Sequence, residues 1–246
     1  MAIKYYYIVA AASLLSVACT ARKTPSVPVV EAEPAKTELV AEVEPKPEYC
    51  KRMEQAGLVE IQTLSPDIKV MLPYGTSENF MGEPLYETSQ YAYFQKDVAQ
   101  MVVQAESYLH EQYPDYMLLI YDAARPLSVQ QKMWKVVRNT VAKYYVSPPN
   151  RKSLHNYGVA VDLTIIDEYG EPLDMGCNYD TFDSIAHINN EQMLLQQGKL
   201  TQEQYNNRQL LRNVMRKAGF KTITREWWHF NACTLQQAQA KYKLIE

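Results

Sequence analysis

The chain has 246 residues, 47% hydrophobic and 22% charged, enough apolar material for a packed globular domain. Its net charge of −3 gives no electrostatic footprint for nucleic acid, and among eight glycines there is neither a G-x-G-x-x-G nor a Walker-type loop. Neither nucleic acid nor nucleotide is therefore expected as a partner.

The first stretch, "MAIKYYYIVAAASLLSVAC", has an early Lys, an apolar run too short for a comfortable membrane span, and small residues leading to Cys19. This is an export signal pattern. Because Cys19 follows the small residues directly, it resembles a bacterial lipoprotein signal over residues 1–19, with Cys19 as the lipidated residue. Acyl chains there would hold the protein on the envelope face of a membrane without spanning it. Residues 20–48 are rich in Pro, Glu, Val and Ala and lack Gly and aromatics until the folded part begins, a composition that behaves as a semi-extended tether. Residues 49–246 form the expected folded unit, a single domain of roughly 200 residues. Apart from Cys19 it holds Cys50, Cys177 and Cys233, so at most one internal disulfide can form, and without a C-x-x-C spacing a Cys-based zinc cluster is not expected.

Within that unit, Phe94, Val98, Met101, Val102, Ala105 and Leu109 recur at helical spacing until Pro114. "YMLLIYDAARP" is a short apolar run between prolines and predicts a buried strand ending near Asp122. Ser128 and Gln131 have capping-box spacing, which predicts a helix through about Lys143. In "GVAVDLTII", Val159, Val161, Leu163 and Ile165 alternate with Ala160, Asp162 and Thr164, as in a strand. Thr201 and Gln204 open a further predicted helix that closes at Gly219. "FKTIT" then predicts a strand leading into "TREWWHF", residues 224–230. Helices and strands mix without regular β-α-β alternation, so the fold class is α+β.

Two segments carry chemistry. Asp162 sits on an apolar strand and needs a cationic partner, either a metal ion or a nearby Arg. With His155 and His229 it makes two imidazoles and a carboxylate, a set that suits Zn²⁺ and leaves a coordination position open for catalysis. Of the other two histidines, His110 lacks the second His of an H-E-x-x-H helix, and His187 has no assigned role.

These residues carry a family resemblance. "SLHNYGVAVDLT" matches S-x-H-x-x-G-x-A-x-D and "EWWH" matches E-x-W-H, patterns of zinc D-alanyl-D-alanine dipeptidases of the VanX type. "YDAARPLSVQQKMW", "PYGTSENFMG", "MGCNYDTFD" and "NRQLLRNVMRKAGF" resemble further segments of that family in the same order, covering about residues 68–230. The resemblance implies a hedgehog/D,D-peptidase-like fold with a central, mainly antiparallel sheet flanked by helices. It also implies one Zn²⁺ on His155, Asp162 and His229, Glu226 as general base, and Arg125 as oxyanion stabiliser. Asp180 would bind the substrate amine, with Ser153 and Tyr74 as neighbouring hydrogen-bond groups. The implied substrate is D-Ala-D-Ala or a similar cell-wall dipeptide. A peptidoglycan D,D- or L,D-carboxypeptidase or endopeptidase with the same metal site, and a non-catalytic peptide-binding lipoprotein, are the alternatives. Export fits poorly with depletion of a cytoplasmic dipeptide pool, and points to wall turnover or dipeptide salvage.

Overall fold

The computed structural model describes residues 46–246; Cys19, the proposed signal and the tether through residue 45 lie outside the described residues. Helix α1 (Glu48–Gln55) opens one residue before the expected boundary, directly after Pro47. Strands β1 (Val59–Glu60), β2 (Lys69–Val70) and β3 (Tyr93–Phe94) follow, then helix α2 (Lys96–His110), strand β4 (Met117–Asp122) and helix α3 (Leu127–Val137). Strand β5 (Ala160–Ile166), helices α4 (Glu191–Gln196) and α5 (Gln202–Lys217), strands β6 (Lys221–Thr222) and β7 (His229–Asn231), and helix α6 (Leu235–Lys241) complete the chain.

The central sheet has the order β2-β4-β5-β7-β6, with β2 parallel to β4 and every other pair antiparallel. β1 and β3 form a separate two-stranded ribbon. The α+β, mainly antiparallel reading is thus borne out. Leu118, Ile120, Val161, Leu163, Ile165 and Phe230 are buried in the main core together with Val98, Val102 and Leu109 of α2 and Leu211, Val214 and Met215 of α5. Residues of α2 accordingly contact both β4 and α5. The second sheet face is covered as well: Leu173 N–H pairs with the Ile165 carbonyl along the free edge of β5, and the chain that follows lays the Tyr179 ring on Tyr121 and Trp228. All seven residues of β5 are therefore buried, although their alternation alone would allow one wet face.

Register places the chemistry. Asp162 on β5 pairs with Asp122 on β4 and with His229 on β7, so three ionisable residues sit side by side across adjacent strands. A register shift between Ile120 and Asp122 accompanies this pairing, and such irregularities re-aim side chains at sheet rims.

Several local expectations change. α2 begins at Lys96, because Phe94 belongs to β3. α3 starts at Leu127, right after Pro126, so Ser128 lies inside the first turn and caps nothing. α3 also stops at Val137 rather than near Lys143; Thr140 accepts the Ala142 N–H and starts a separate 3₁₀ turn, Val141–Tyr144. The Thr201/Gln204 capping box forms as expected, and α5 ends in a Schellman motif: Gly219, at φ 96°, donates to the Arg216 carbonyl and Phe220 to Met215. Glu226, Trp227 and Trp228 are not in a strand but in the loop of a β6–β7 hairpin. Cys50, Cys177 and Cys233 are free thiols.

Candidate metal centre and catalytic cleft

His155 sits in a 3₁₀ turn, Leu154–Tyr157, just ahead of β5. Ser153 and Asn156 cap that turn reciprocally, so part of the Ser153 hydroxyl's bonding capacity is spent on the His155 N–H at 3.3 Å. Gly158 ends it at φ 67°, where a side chain would be strained and its Cβ would meet Leu58 at 3.0 Å. The turn thereby delivers His155 onto the face where Asp162 and His229 already stand.

The three expected ligands converge. His229 Nδ1 lies 2.8 Å from Asp162 Oδ1. His155 Nε2 lies 3.5 Å from the same oxygen and 3.3 Å from His229 Nδ1. The other atom of each group is occupied elsewhere. His155 Nδ1 is 2.7 Å from the Ala123 carbonyl, which can only accept, so that nitrogen carries the proton. His229 Nε2 donates in the same way to Asn231 Oδ1 at 2.8 Å. Tyr179 donates its hydroxyl to Asp162 Oδ2 at 3.2 Å. Two bare imidazole nitrogens and a carboxylate oxygen are thus left facing one another, all buried. Such a set of lone pairs calls for a cation between them, and the outer hydrogen bonds hold the rings as metal-ligating histidines are usually held. Burial opposes ionisation of Asp162, but positive charge on the imidazole side of the site holds its carboxyl well below the usual range, a part that a bound cation would take when the facing nitrogens are bare. The donors present fit a zinc ion.

Around this centre lies a cleft of about 340 Å³, lined by Tyr74, Arg125, Ser153, Asp180 and Glu226 among others. Glu226 is buried, with Oε2 3.8 Å from His229 Nδ1. Burial pushes its carboxyl up to about 8, against the opposing pull of His229; a cation in the neighbouring site would act in the same direction as His229. Trp227 and Trp228 pack edge to face, and the Trp228 carbonyl accepts the Leu163 N–H, which ties the Glu226 loop to β5.

Arg125 does not end β4 but lies three residues beyond it. Its guanidinium is pinned: Nε donates to Asp122 Oδ2 at 2.9 Å, Nη2 pairs with the same oxygen, and Nη1 donates to Gln130 Oε1 at 2.8 Å. Burial disfavours that charge, yet Asp122 outweighs it and keeps Arg125 firmly protonated. Arg125 thus lines the cleft and is ion-paired to Asp122 at the same time. Asp180, in a left-handed backbone conformation at φ 58°, accepts the Tyr74 hydroxyl at 2.6 Å, and burial pushes its carboxyl up to about 7. Both remaining histidines stand apart: His110 lies 3.5 Å from Glu106 within α2, and His187 meets the Tyr145 hydroxyl at 2.9 Å.

Sequence reasoning missed the residues that orient the others. Gln130 bridges Arg125 to the Ser147 carbonyl, Asn231 orients His229, and Tyr179 orients Asp162. Asn231 alone was within reach, because residues two apart on a strand share a face.

A family model described as D-ala-D-ala dipeptidase matches residues 54–244. The D-alanyl-D-alanine dipeptidase of Escherichia coli strain K12 is 32% identical over 188 residues, covering 76% of this chain and 89% of that protein. One from Synechocystis is 30% identical over 148 residues, covering 48% and 60%. One from Enterococcus faecalis is 28% identical over 178 residues, covering 64% and 82%.

Proposed function

Because the chain belongs to the D-ala-D-ala dipeptidase family of peptidases, we propose that it is a zinc-dependent hydrolase of D-Ala-D-Ala or a closely similar free dipeptide. The observation that carries this reading is the convergence of His155 Nε2, His229 Nδ1 and Asp162 Oδ1 beside the buried Glu226 carboxyl.

A zinc ion held by those three groups would supply Lewis acidity, able to bring the pKa of a water to about 7. Glu226 takes the proton of the attacking water and returns it to the departing amine, a transfer typically worth ~10²–10⁴ in rate. Arg125, immobilised by Asp122 and Gln130, faces the carbonyl oxygen as it gains charge, and needs no reorganisation to do so. Among the described residues Asp180 has one hydroxyl partner and no cation bonded to it, which suits an incoming ammonium. Tyr74 fixes that carboxylate, and Ser153 lies on the cleft wall as a further hydrogen-bonding group. An amine clamp close to the scissile bond favours dipeptides over long stems.

Zinc-loaded protein assayed on D-Ala-D-Ala, L-Ala-L-Ala and a pentapeptide stem tests this directly. Preference for D-Ala-D-Ala is expected, and preferred cleavage of the stem would overturn it. Glu226→Ala should retain one zinc while losing at least ~10²-fold in kcat; full activity with zinc bound would remove Glu226 from the base role.

The same proposal extends to an exported protein anchored through lipid at Cys19 and acting in wall turnover or dipeptide salvage. The support is the residue pattern of 1–19. Among the described residues no helix is long and apolar enough to cross a membrane. Cys19→Ser should shift the protein from the membrane to the soluble fraction; unchanged partitioning would refute the anchor.

A further inference from the structure

The cleft does not end at Glu226. Beyond it lies a second cavity of about 370 Å³, walled by residues 143–148 and 223–226. The two cavities share Tyr145, Ser147, Arg151 and Glu226, so they form one groove, whereas Asp180 and Tyr74 line only the first. The annex is basic: Lys143, Arg151 and Arg225 line it, and its one carboxyl group is the buried Glu226. Among the described residues none of these three cations makes an ion pair.

Arg225 is exposed but held in place. Its Nη1 donates to the Tyr144 carbonyl at 3.1 Å, and its guanidinium sits 5.4 Å from the Tyr144 ring centroid. The Lys143 ammonium lies 5.1 Å from the same centroid, so one aromatic ring gathers both charges at the annex rim. Lys152, which makes no ion pair either, lines the first cavity with its backbone in the left-handed region at φ 63°, a conformation that a Lys rarely adopts. The chain itself concentrates this charge: residues 123–161 contain seven Lys and Arg and no Asp or Glu, although the whole carries a net charge of −3.

We propose that the annex is a carboxylate subsite for the side chain of the residue on the leaving-amine side of the scissile bond. Dipeptides ending in an acidic residue would then be preferred over their neutral counterparts. The inference rests on the dipeptidase reading, which orients the substrate. Asp180 takes the ammonium at one end of the cleft, and Glu226 must reach the departing amine, so the second residue lies on the Glu226 side. The annex opens there. Arg151 and Lys152 suffice for the terminal carboxylate common to every dipeptide, leaving Lys143 and Arg225 for a second negative charge.

The test compares D-Ala-D-Glu with its neutral isostere D-Ala-D-Gln, with D-Ala-D-Ala as reference. kcat/KM is measured on zinc-loaded wild type, and Kd calorimetrically on zinc-loaded Glu226→Gln. The acidic dipeptide should be favoured about fivefold in both, as expected for solvent-exposed ion pairs. Most of that preference should vanish in about 1 M salt, where the screening length falls to about 3 Å. In a Lys143→Gln, Arg225→Gln double variant the ratio should fall to one, and Arg225→Lys should preserve it. Equal ratios for wild type, or a ratio unchanged by the double substitution, would overturn the annex. Turnover of D-Ala-D-Ala without acidic preference rejects the annex alone. If no dipeptide is turned over, the dipeptidase reading fails, and the Kd ratio then decides the annex as a carboxylate subsite: tighter binding of the acidic dipeptide sustains it, and equal binding or tighter binding of the neutral one rejects it.

Discussion

Among the described residues Asp180 has only the Tyr74 hydroxyl to satisfy a half-buried carboxyl, and keeps its proton up to about pH 7. A protonated carboxyl cannot pair with an ammonium, so substrate binding should strengthen as pH rises through about 7. KM for D-Ala-D-Ala is therefore expected to fall across that range, and in Asp180→Asn to be raised at least about tenfold and to lose that pH dependence. An unchanged KM in the variant would count against the amine-binding role. At this scale the sequence was informative where chemistry forces an unusual residue. A carboxylate on an apolar strand and two Trp between a Glu and a His are costly unless they serve a site, and His155, Asp162, His229 and Glu226 do lie together. Gln130 and Tyr179 gave no such signal. Both are ordinary polar residues whose importance depends on which side chains the loops bring within 3.2 Å of them.

At the scale of elements, capping chemistry decided which expectations held. Thr201 caps α5 because it stands one position before the helix, while Ser128 has the same spacing to its Gln but is carried into the first turn by Pro126. Local pattern cannot distinguish these, since the proline moves the start. The seam between α2 and β4 carries a different liability. Glu106 on α2 accepts the Leu118 N–H at 2.8 Å, and burial pushes its carboxyl from an ordinary 4.5 up to about 7. The unfolded chain releases this proton near pH 4.5 and the folded one only near 7, so unfolding releases a proton between those values. Stability contributed by the neutral form is complete below pH 4.5 and is lost as pH rises through 7. Glu106→Gln keeps an acceptor for Leu118 without the charge, and should stabilise the protein by about 2 kcal/mol at pH 8 but hardly at pH 4, measured by urea unfolding at both. Equal effects at both values would remove Glu106 as the cause.

For the molecule as a whole, the covering of the second sheet face was not legible in the alternation of β5. Tyr179, carried by residues 172–182, an irregular segment without periodicity, does the covering. The same segment carries Tyr179 and Asp180, so the cleft is built between a regular sheet and an irregular lid of chain. A centre made of three facing lone pairs should be destabilising when empty and stabilising when filled. Zinc at about a thousand times its Kd is expected to raise stability by about 4 kcal/mol, read as a higher Tm that a chelator reverses. His155→Ala should abolish the shift; a Tm indifferent to zinc in the wild-type protein would contradict the metal assignment.

Asp162 and His229 are direct partners across the β5–β7 seam, and alternation along β7 sends Phe230 into the apolar interior. Sliding β7 by a single residue would swap their destinations, putting an aromatic ring into the cleft and an imidazole among hydrocarbon. Cation uptake thus audits strand alignment: in a refolded preparation, the molar equivalents of tightly held metal count the molecules whose final hairpin has docked in step.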